Sequence, residues 1–188
     1  MSRSKLFPLA LVILMLLATG CAGSKGSVKP IDIQPTAQEK LAEFKYIALQ
    51  SSTSDDLYIP PDAIKRIEDL VLRGVAKPDG PRVLSSAQDG QDNTQILKCK
   101  LVYTRYEEGN AFARAMLAGL GQMHITAKVM LMNFSEETEL AKYEVDKTFA
   151  WGGIYGATQR LSDLEAGFAE AVADAVSGRQ SNKAQAAQ

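Results

Sequence analysis

Three long segments with strand-like alternation lie between residues 94 and 151. They limit the folds that this chain can adopt more than any other feature of its sequence. They are predicted to span residues 94–106, 122–134 and 139–151. In the last two, apolar side chains recur at every second position, so that they share one face of a strand while polar side chains share the other. The polar stretch FSEETEL between them predicts a hairpin turn. We therefore expect an antiparallel sheet with one face buried and the other either solvated or covered by a partner.

Four further segments complete the predicted domain. Residues 44–50 predict a first strand, residues 60–77 a helix, and residues 82–87 a short strand. A last helix is predicted to begin with a capping box of Ser162 and Glu165 and to end at Gly178. The order is β-α-β-β-β-β-α, which predicts one α+β domain over residues 44–177. Its sheet is expected to be largely antiparallel, with four or five strands and two helices packed on it.

The first 20 residues have the pattern of an export signal, with a basic start, an apolar core and small residues after it. The stretch LLATGCAG that follows resembles a bacterial lipobox, with Ala18 at a position where leucine is most common. The resemblance implies that the chain is cut before Cys21 and that this cysteine carries the lipid. Ala22, rather than aspartate, follows it, which in such signals favours the outer membrane. We therefore expect a lipid-anchored protein on the periplasmic face of the outer membrane.

Both ends of the mature chain lack an apolar period. Residues 21–43 are rich in glycine, serine, proline and charge, which predicts a lipidated cysteine followed by a flexible tether. Such a tether would hold the domain about 20 to 25 Å from the bilayer on average. Residues 178–188 predict a disordered tail.

Charge and side-chain inventory argue against several functional classes. The chain has 21 basic and 22 acidic residues, and loss of the signal removes two of the basic ones, so the mature protein is negative and unsuited to nucleic acid. The single histidine, His124, has no set of ligands spaced to form a metal site. Cys99 lies in an alternating segment that predicts a buried, inert thiol. The acidic pairs fall in predicted turns, where solvated charge is the usual state. We expect no enzyme activity, no metal and no cofactor.

The segment between the first two long strands, EEGNAFARAMLAGLGQ, is the least regular part of the chain. It lacks the lysine and hydroxyl pair of a phosphate loop. One interpretation is a short helical turn whose Phe112, Met116 and Leu117 pack on the sheet edge, with glycines at positive φ. The other is an apolar interaction surface that a neighbouring subunit covers. Arg114 either pairs with a carboxylate across the loop or binds an anionic group of a partner. Trp151 either closes the edge of the core or lies on the rim of a groove.

The arrangement from this loop to the last helix resembles the bacterial lipoprotein family described as domain of unknown function 4410. Members share a Gly-Asn pair, an arginine, a Gly-x-Gly, two strands, a glycine pair and a terminal helix. The resemblance covers roughly residues 44–177 and implies no catalytic residue. The positions that carry it are Gly109, Asn110, Arg114, Gly119, Gly121, Gly152 and Gly153, with the strands running through Val145.

Two functions from different classes remain open at the level of sequence. The first is a non-enzymatic, outer-membrane-anchored lipoprotein that binds envelope proteins or its own copies. The second is a protein that binds a small apolar or anionic ligand in a cleft near Arg114 and Trp151. The residues that would distinguish them are Cys21 for lipidation and Phe112, Arg114, Met116, Leu117 and Trp151 for interaction.

Overall fold

A computed structural model describes residues 25–78, 82–117, 120–149 and 158–179 of the chain. It contains one mixed sheet of six strands, and four α-helices lie in the described ranges. None of these helices is long and apolar enough to span a membrane. The elements are β1 (Ser27–Ile33), α1 (Ala37–Glu43), β2 (Tyr46–Thr53), α2 (Pro61–Val75), β3 (Ser85–Ser86), β4 (Ile96–Glu107), α3 (Ala111–Met116), β5 (Met123–Asn133), β6 (Glu139–Phe149) and α4 (Ser162–Ser177). The strands lie in the sheet in the order β1-β6-β5-β4-β2-β3.

The three long alternating segments form the antiparallel centre of the sheet, as predicted. Leu101 of β4 lies opposite Val129 of β5, which lies opposite Tyr143 of β6. The predicted hairpin turn between β5 and β6 is also present. Its Asn133 side chain accepts a hydrogen bond of 2.9 Å from the backbone N–H of Ser135, and Glu137 adopts a φ of 54°.

The structure corrects the prediction of a largely antiparallel sheet with four or five strands and two helices, because the sheet is mixed and has six strands, and the described ranges contain four α-helices. Strand β2 runs parallel to β4 over its whole length and parallel to β3 at its start. Helix α2 provides the crossover that a parallel pair needs, because two strands that point the same way cannot be joined by a tight turn. The sequence predicted this strand, helix and strand in the correct order, but periodicity does not determine which strands pair.

Residues 27–43, which were assigned to a flexible tether, also correct the sequence interpretation. Strand β1 pairs with β6, with Val28 opposite Val145, and α1 buries Ala37 and Leu41. Most side chains of β1 are exposed because it lies at the edge of the sheet. Its sequence therefore lacks the alternation of a half-buried strand, and Pro30 is tolerated there because an edge strand need not use every N–H.

The core lies between one face of the sheet and the pair α2 and α4, which pack on each other. A Cβ atom added to Gly74 of α2 would stand 2.6 Å from the Cβ of Ala173 in α4, so the two backbones approach closely. Gly26 lies against the other side of α4, and its N–H donates a 2.9 Å hydrogen bond to the carbonyl of Gly167. Helix α4 is therefore enclosed on several sides, and the side chains of its last seven residues are all buried.

The predicted capping box of α4 is wrong, although its predicted end at Gly178 is confirmed by a φ of 74°. Leu161 occupies the cap position without a side-chain hydrogen bond. Glu165 instead points into the protein, where it is 2 % exposed. It accepts two 2.9 Å hydrogen bonds from Arg66 of α2 and one of 2.9 Å from the hydroxyl of Tyr106 in β4. Burial and this bond to the carboxylate raise the pKa of Tyr106.

The packing of Gly26 predicts that residues before β1 belong to the folded domain. A Cβ atom at this position would lie 2.9 Å from the carbonyl oxygen of Asp146 and 3.0 Å from the Cβ of Ala171. We expect Gly26→Val to lower the free energy of unfolding by about 1–3 kcal/mol, because the larger side chain must displace backbone.

Ser27→Val is the matched control, since Ser27 is the exposed first residue of the edge strand. We expect it to change the free energy of unfolding by no more than about 0.5 kcal/mol. Urea denaturation of both variants measures the difference, and equal stabilities would show that the segment is a tether after all.

Candidate interaction surface

The connection between β4 and β5 is the candidate site, and it begins with a short helix. The side chain of Asn110 accepts a 3.0 Å hydrogen bond from the backbone N–H of Ala113, which caps the first turn of α3. The predicted helical turn in this segment is therefore confirmed. Residues 118 and 119, including Gly119, lie outside the described ranges.

Two glycines bring the ends of this connection together. Gly109 has a φ of 66° and Gly121 a φ of 69°, which confirms the predicted positive φ values at these two positions. A Cβ atom on Gly109 would lie 2.1 Å from the carbonyl oxygen of Gln122, and one on Gly121 would lie 2.2 Å from that of Asn110. These close approaches leave no room for a side chain at either position. They also bring the two ends of the connection together where it leaves the sheet.

Arg114 fills the interior of the closed loop. Its side chain is 1 % exposed and donates hydrogen bonds to the carbonyl oxygens of Glu108 and, at 2.9 Å, Gly121. A longer contact of 3.5 Å reaches the carbonyl of Gln159, which precedes α4. The structure thus supports the interpretation in which Arg114 pairs within the protein. The acceptors of these three bonds are main-chain carbonyl oxygens.

The apolar side chains of the loop point outward, and the prediction that they pack on the sheet edge is wrong. Phe112 is 73 % exposed, Met116 67 % and Leu117 53 %. Leu120, which the sequence interpretation did not single out, is 57 % exposed. The cause is geometric: α3 has six residues, and Arg114 occupies its inward face. We call Phe112, Met116, Leu117 and Leu120 the loop patch.

The loop patch is suited to binding another apolar surface. Phe112 and Met116 are four positions apart in a helix, so their side chains lie on the same side of it. Aromatic and methionine side chains are enriched at protein interfaces, where they contribute large and adaptable contact areas. Arg114 and the two glycines hold the described backbone around α3, which therefore presents Phe112 and Met116 on a defined support.

The single histidine belongs to a polar row on the face of the sheet opposite the core. Its Nδ1 lies 2.9 Å from the hydroxyl of Thr148, which donates to Asp146 at 2.9 Å, and the same carboxylate accepts from Thr126 at 2.7 Å. Partial burial, and to a smaller extent the charge of Arg105, lower the pKa of His124. Nothing in the described part of the chain groups three or more ligands for a metal ion.

The remaining candidates for chemistry are inert or exposed. Cys99 is buried in β4, as predicted, and loss of hydration raises the pKa of its thiol to about 12. The carboxylates of the three acidic pairs are solvated: Asp55, Asp56, Glu107, Glu108, Glu136 and Glu137 are all exposed. Cys21 and Trp151 lie outside the described residues, so the interpretations placed on them stay predictions.

The hydrogen bonds of Arg114 predict that the loop depends on its guanidinium. We expect Arg114→Met to lower the free energy of unfolding by about 2 kcal/mol, because it leaves partly buried carbonyl oxygens without their donors. The exposed Arg73 is the matched control, and Arg73→Met should cost no more than about 0.5 kcal/mol. Urea denaturation of the two variants decides this prediction, which is contradicted if they are equally stable.

Similarity to known proteins extends over the fold and the loop. The model of the family described as domain of unknown function (DUF4410) matches residues 76–153, which include the loop patch, β4, β5 and β6. No curated protein sequence matches the chain.

Among solved structures, the PelC dodecamer from Paraburkholderia phytofirmans is similar with a TM-score of 0.52 and 14% identity, over 82% of this chain and 99% of that chain. A single-substitution variant of the same dodecamer gives a TM-score of 0.51 and 13% identity over the same shares. A protein from Xanthomonas campestris is similar with a TM-score of 0.45 and 15% identity, over 78% of this chain and 89% of that chain. The chain therefore shares the fold of PelC, and its central residues match the DUF4410 family model.

Proposed function

We propose that this protein is a non-enzymatic lipoprotein of the cell envelope whose domain self-associates through the loop patch. The observation that carries the proposal is a group of four large apolar side chains, each more than half exposed, on a loop that a buried arginine holds in place. Single exposed apolar residues are common on soluble proteins, but a cluster on a fixed support marks an interaction site.

The similarity to PelC supports self-association rather than capture of an unrelated ligand. PelC from Paraburkholderia phytofirmans shares this fold and is a dodecamer. If copies of this protein join head to tail, each subunit needs two different surfaces, one of which inserts into the other on the next copy. In this protein the loop patch would be the inserting surface.

The ligand-binding alternative receives no support from the loop. The guanidinium of Arg114 is covered by the loop itself, so an anionic ligand would have to displace hydrogen bonds to main-chain carbonyls before reaching it. Displacing such bonds in a buried position is costly.

Attachment to the membrane is proposed from the signal-like first 20 residues and the lipobox-like stretch before Cys21. Two or three acyl chains on this residue would hold the protein permanently, since each buried methylene contributes about 0.8 kcal/mol. Ala22 after the cysteine favours the periplasmic leaflet of the outer membrane as its place.

Self-association is tested on the detergent-extracted full chain by sedimentation velocity. The double substitution Met116→Asp with Leu117→Asp should weaken association at least about tenfold, because it places charge in an apolar contact, and a tenfold change corresponds to about 1.4 kcal/mol. Tyr58→Asp is the control, since Tyr58 is 78 % exposed and lies elsewhere in the sequence.

The double variant should unfold at the same temperature as the parent, because the side chains that it changes are exposed. A parent protein that sediments as a monomer at every concentration overturns the self-association proposal.

Lipid attachment is tested by intact mass analysis of the chain extracted from membranes of a bacterium that expresses it. We expect a chain that begins at Cys21 and carries the mass of its acyl groups. Cys21→Ala should leave the uncleaved precursor, whereas Cys99→Ala should be processed normally. A mature chain without acyl groups contradicts the proposal.

A further inference from the structure

The domain begins almost immediately after the proposed lipid anchor. Lys25 is the first described residue, and its Nζ lies 2.8 Å from a carboxylate oxygen of Glu170 and 3.2 Å from one of Asp174. The N–H of Gly26 bonds to the carbonyl of Gly167, and β1 follows at Ser27. The chain is thus attached to α4 from Lys25 onward.

The distance between Cys21 and this attachment is short. Three residues separate Cys21 from Lys25, so four Cα–Cα steps cover at most about 14 Å at about 3.6 Å per residue. The Cα of the lipidated cysteine therefore cannot lie farther than this from Lys25. If Cys21 is at the bilayer surface, the part of the domain around Lys25 must be close to the headgroups, and not some 20 to 25 Å away as a flexible tether would allow.

A positively charged groove surrounds Lys25. It is a cavity of about 370 Å³ between α2 and α4, and we call it the terminal groove because it runs along both helices to their C-terminal ends. Its charged lining consists of four cations and two carboxylates, so it is positive overall. These residues are Lys25, Arg73, Lys77, Arg179, Glu170 and Asp174.

The cations of the terminal groove fall into two groups. Lys25 and Arg179 contact its carboxylates, with Arg179 Nε 2.5 Å from Asp174, and Arg179 also donates to the carbonyl of Gly74 at 3.2 Å. Arg73 and Lys77 are exposed at the end of α2, four positions apart. Their charges are therefore presented to whatever lies over the groove.

We propose that the terminal groove is the membrane-facing surface of this protein and that Arg73 and Lys77 contact the phosphates of anionic phospholipid headgroups. The proposal rests on the lipid attachment proposed at Cys21 and adds an orientation to it. Basic side chains next to an anionic leaflet are attracted to it, and a tethered basic surface is concentrated there by its anchor.

This orientation leaves the loop patch available to other copies. Arg114 contacts Gln159, just before the start of α4, whereas the terminal groove is lined on that helix by Ala166, Glu170 and Asp174. None of the four side chains of the loop patch lines the groove, so membrane contact and self-association do not compete for the same residues.

The orientation is measured on the acylated full chain, reconstituted into vesicles of phosphatidylethanolamine and phosphatidylglycerol that contain a lipid with a nitroxide on its headgroup. One variant, Ala76→Cys, places a fluorophore between Arg73 and Lys77, and another, Ser52→Cys, places it on an exposed position of β2. The buried thiol of Cys99 should remain unlabelled. We expect severalfold stronger quenching at position 76 than at position 52. Equal quenching, or stronger quenching at position 52, overturns the proposal.

A charge-reversal experiment tests the role of the two cations. In the Ala76→Cys chain, Arg73→Glu with Lys77→Glu should reduce the quenching at position 76 at least about twofold, because the anchor still holds the groove near the membrane but the attraction to the headgroups is lost. Lys100→Glu with Lys128→Glu, an equal change of charge in β4 and β5, should leave it unchanged. Quenching that is not reduced after reversal of Arg73 and Lys77 overturns headgroup contact by these residues.

The mass of the same reconstituted sample distinguishes the two proposals. A chain that carries acyl groups but shows equal quenching at both positions refutes the terminal groove as the membrane-facing surface and leaves lipid attachment intact. A chain without acyl groups refutes lipid attachment and, with it, the orientation.

Discussion

The arrangement of the helices depends on the hydrogen bonds that the carboxylate of Glu165 accepts. An ionised carboxylate is stable inside a protein only where charge-assisted hydrogen bonds replace the lost water, and here Arg66 and Tyr106 provide them. Because these two partners belong to α2 and β4, the bonds fix α4 against both the other helix and the sheet. The close approach at Gly74, and the contact of Gly26 on the far side, follow from that position of α4.

The sequence predicted the strands in which apolar and polar residues alternate. It missed the features that depend on contacts between residues distant in sequence. Strands β4, β5 and β6 were predictable because one face of each is buried and the other is not. Strand β1 was not, since most of its side chains are exposed at the sheet edge. The parallel pairing of β2 could not be deduced because no local pattern encodes it. Glu165 was assigned to a cap because its spacing from Ser162 fits a capping box, whereas its actual bonds join residues distant in sequence.

In the loop, too, the backbone conformation was predictable from single residues, whereas the direction of the side chains was not. Glycine at positions 109 and 121 correctly predicted positive φ, because few other residues adopt that conformation. The direction of Phe112, Met116 and Leu117 was not predictable, since a helix of six residues has no long period from which an inward face can be identified. The buried arginine reversed the expected arrangement: the most polar residue of α3 faces the interior, and its largest apolar residues face solvent.

The two edges of the sheet restrict how copies of this protein can join. At one edge stands β1, with Pro30 within it and a register shift beside that proline, and at the other stands β3, which is two residues long. Proline, irregular pairing and very short edge strands all oppose hydrogen bonding to a further strand. Copies would consequently not merge into one continuous sheet. An oligomer would depend on side-chain contacts, and a high local concentration of copies would not by itself lead to fibrils.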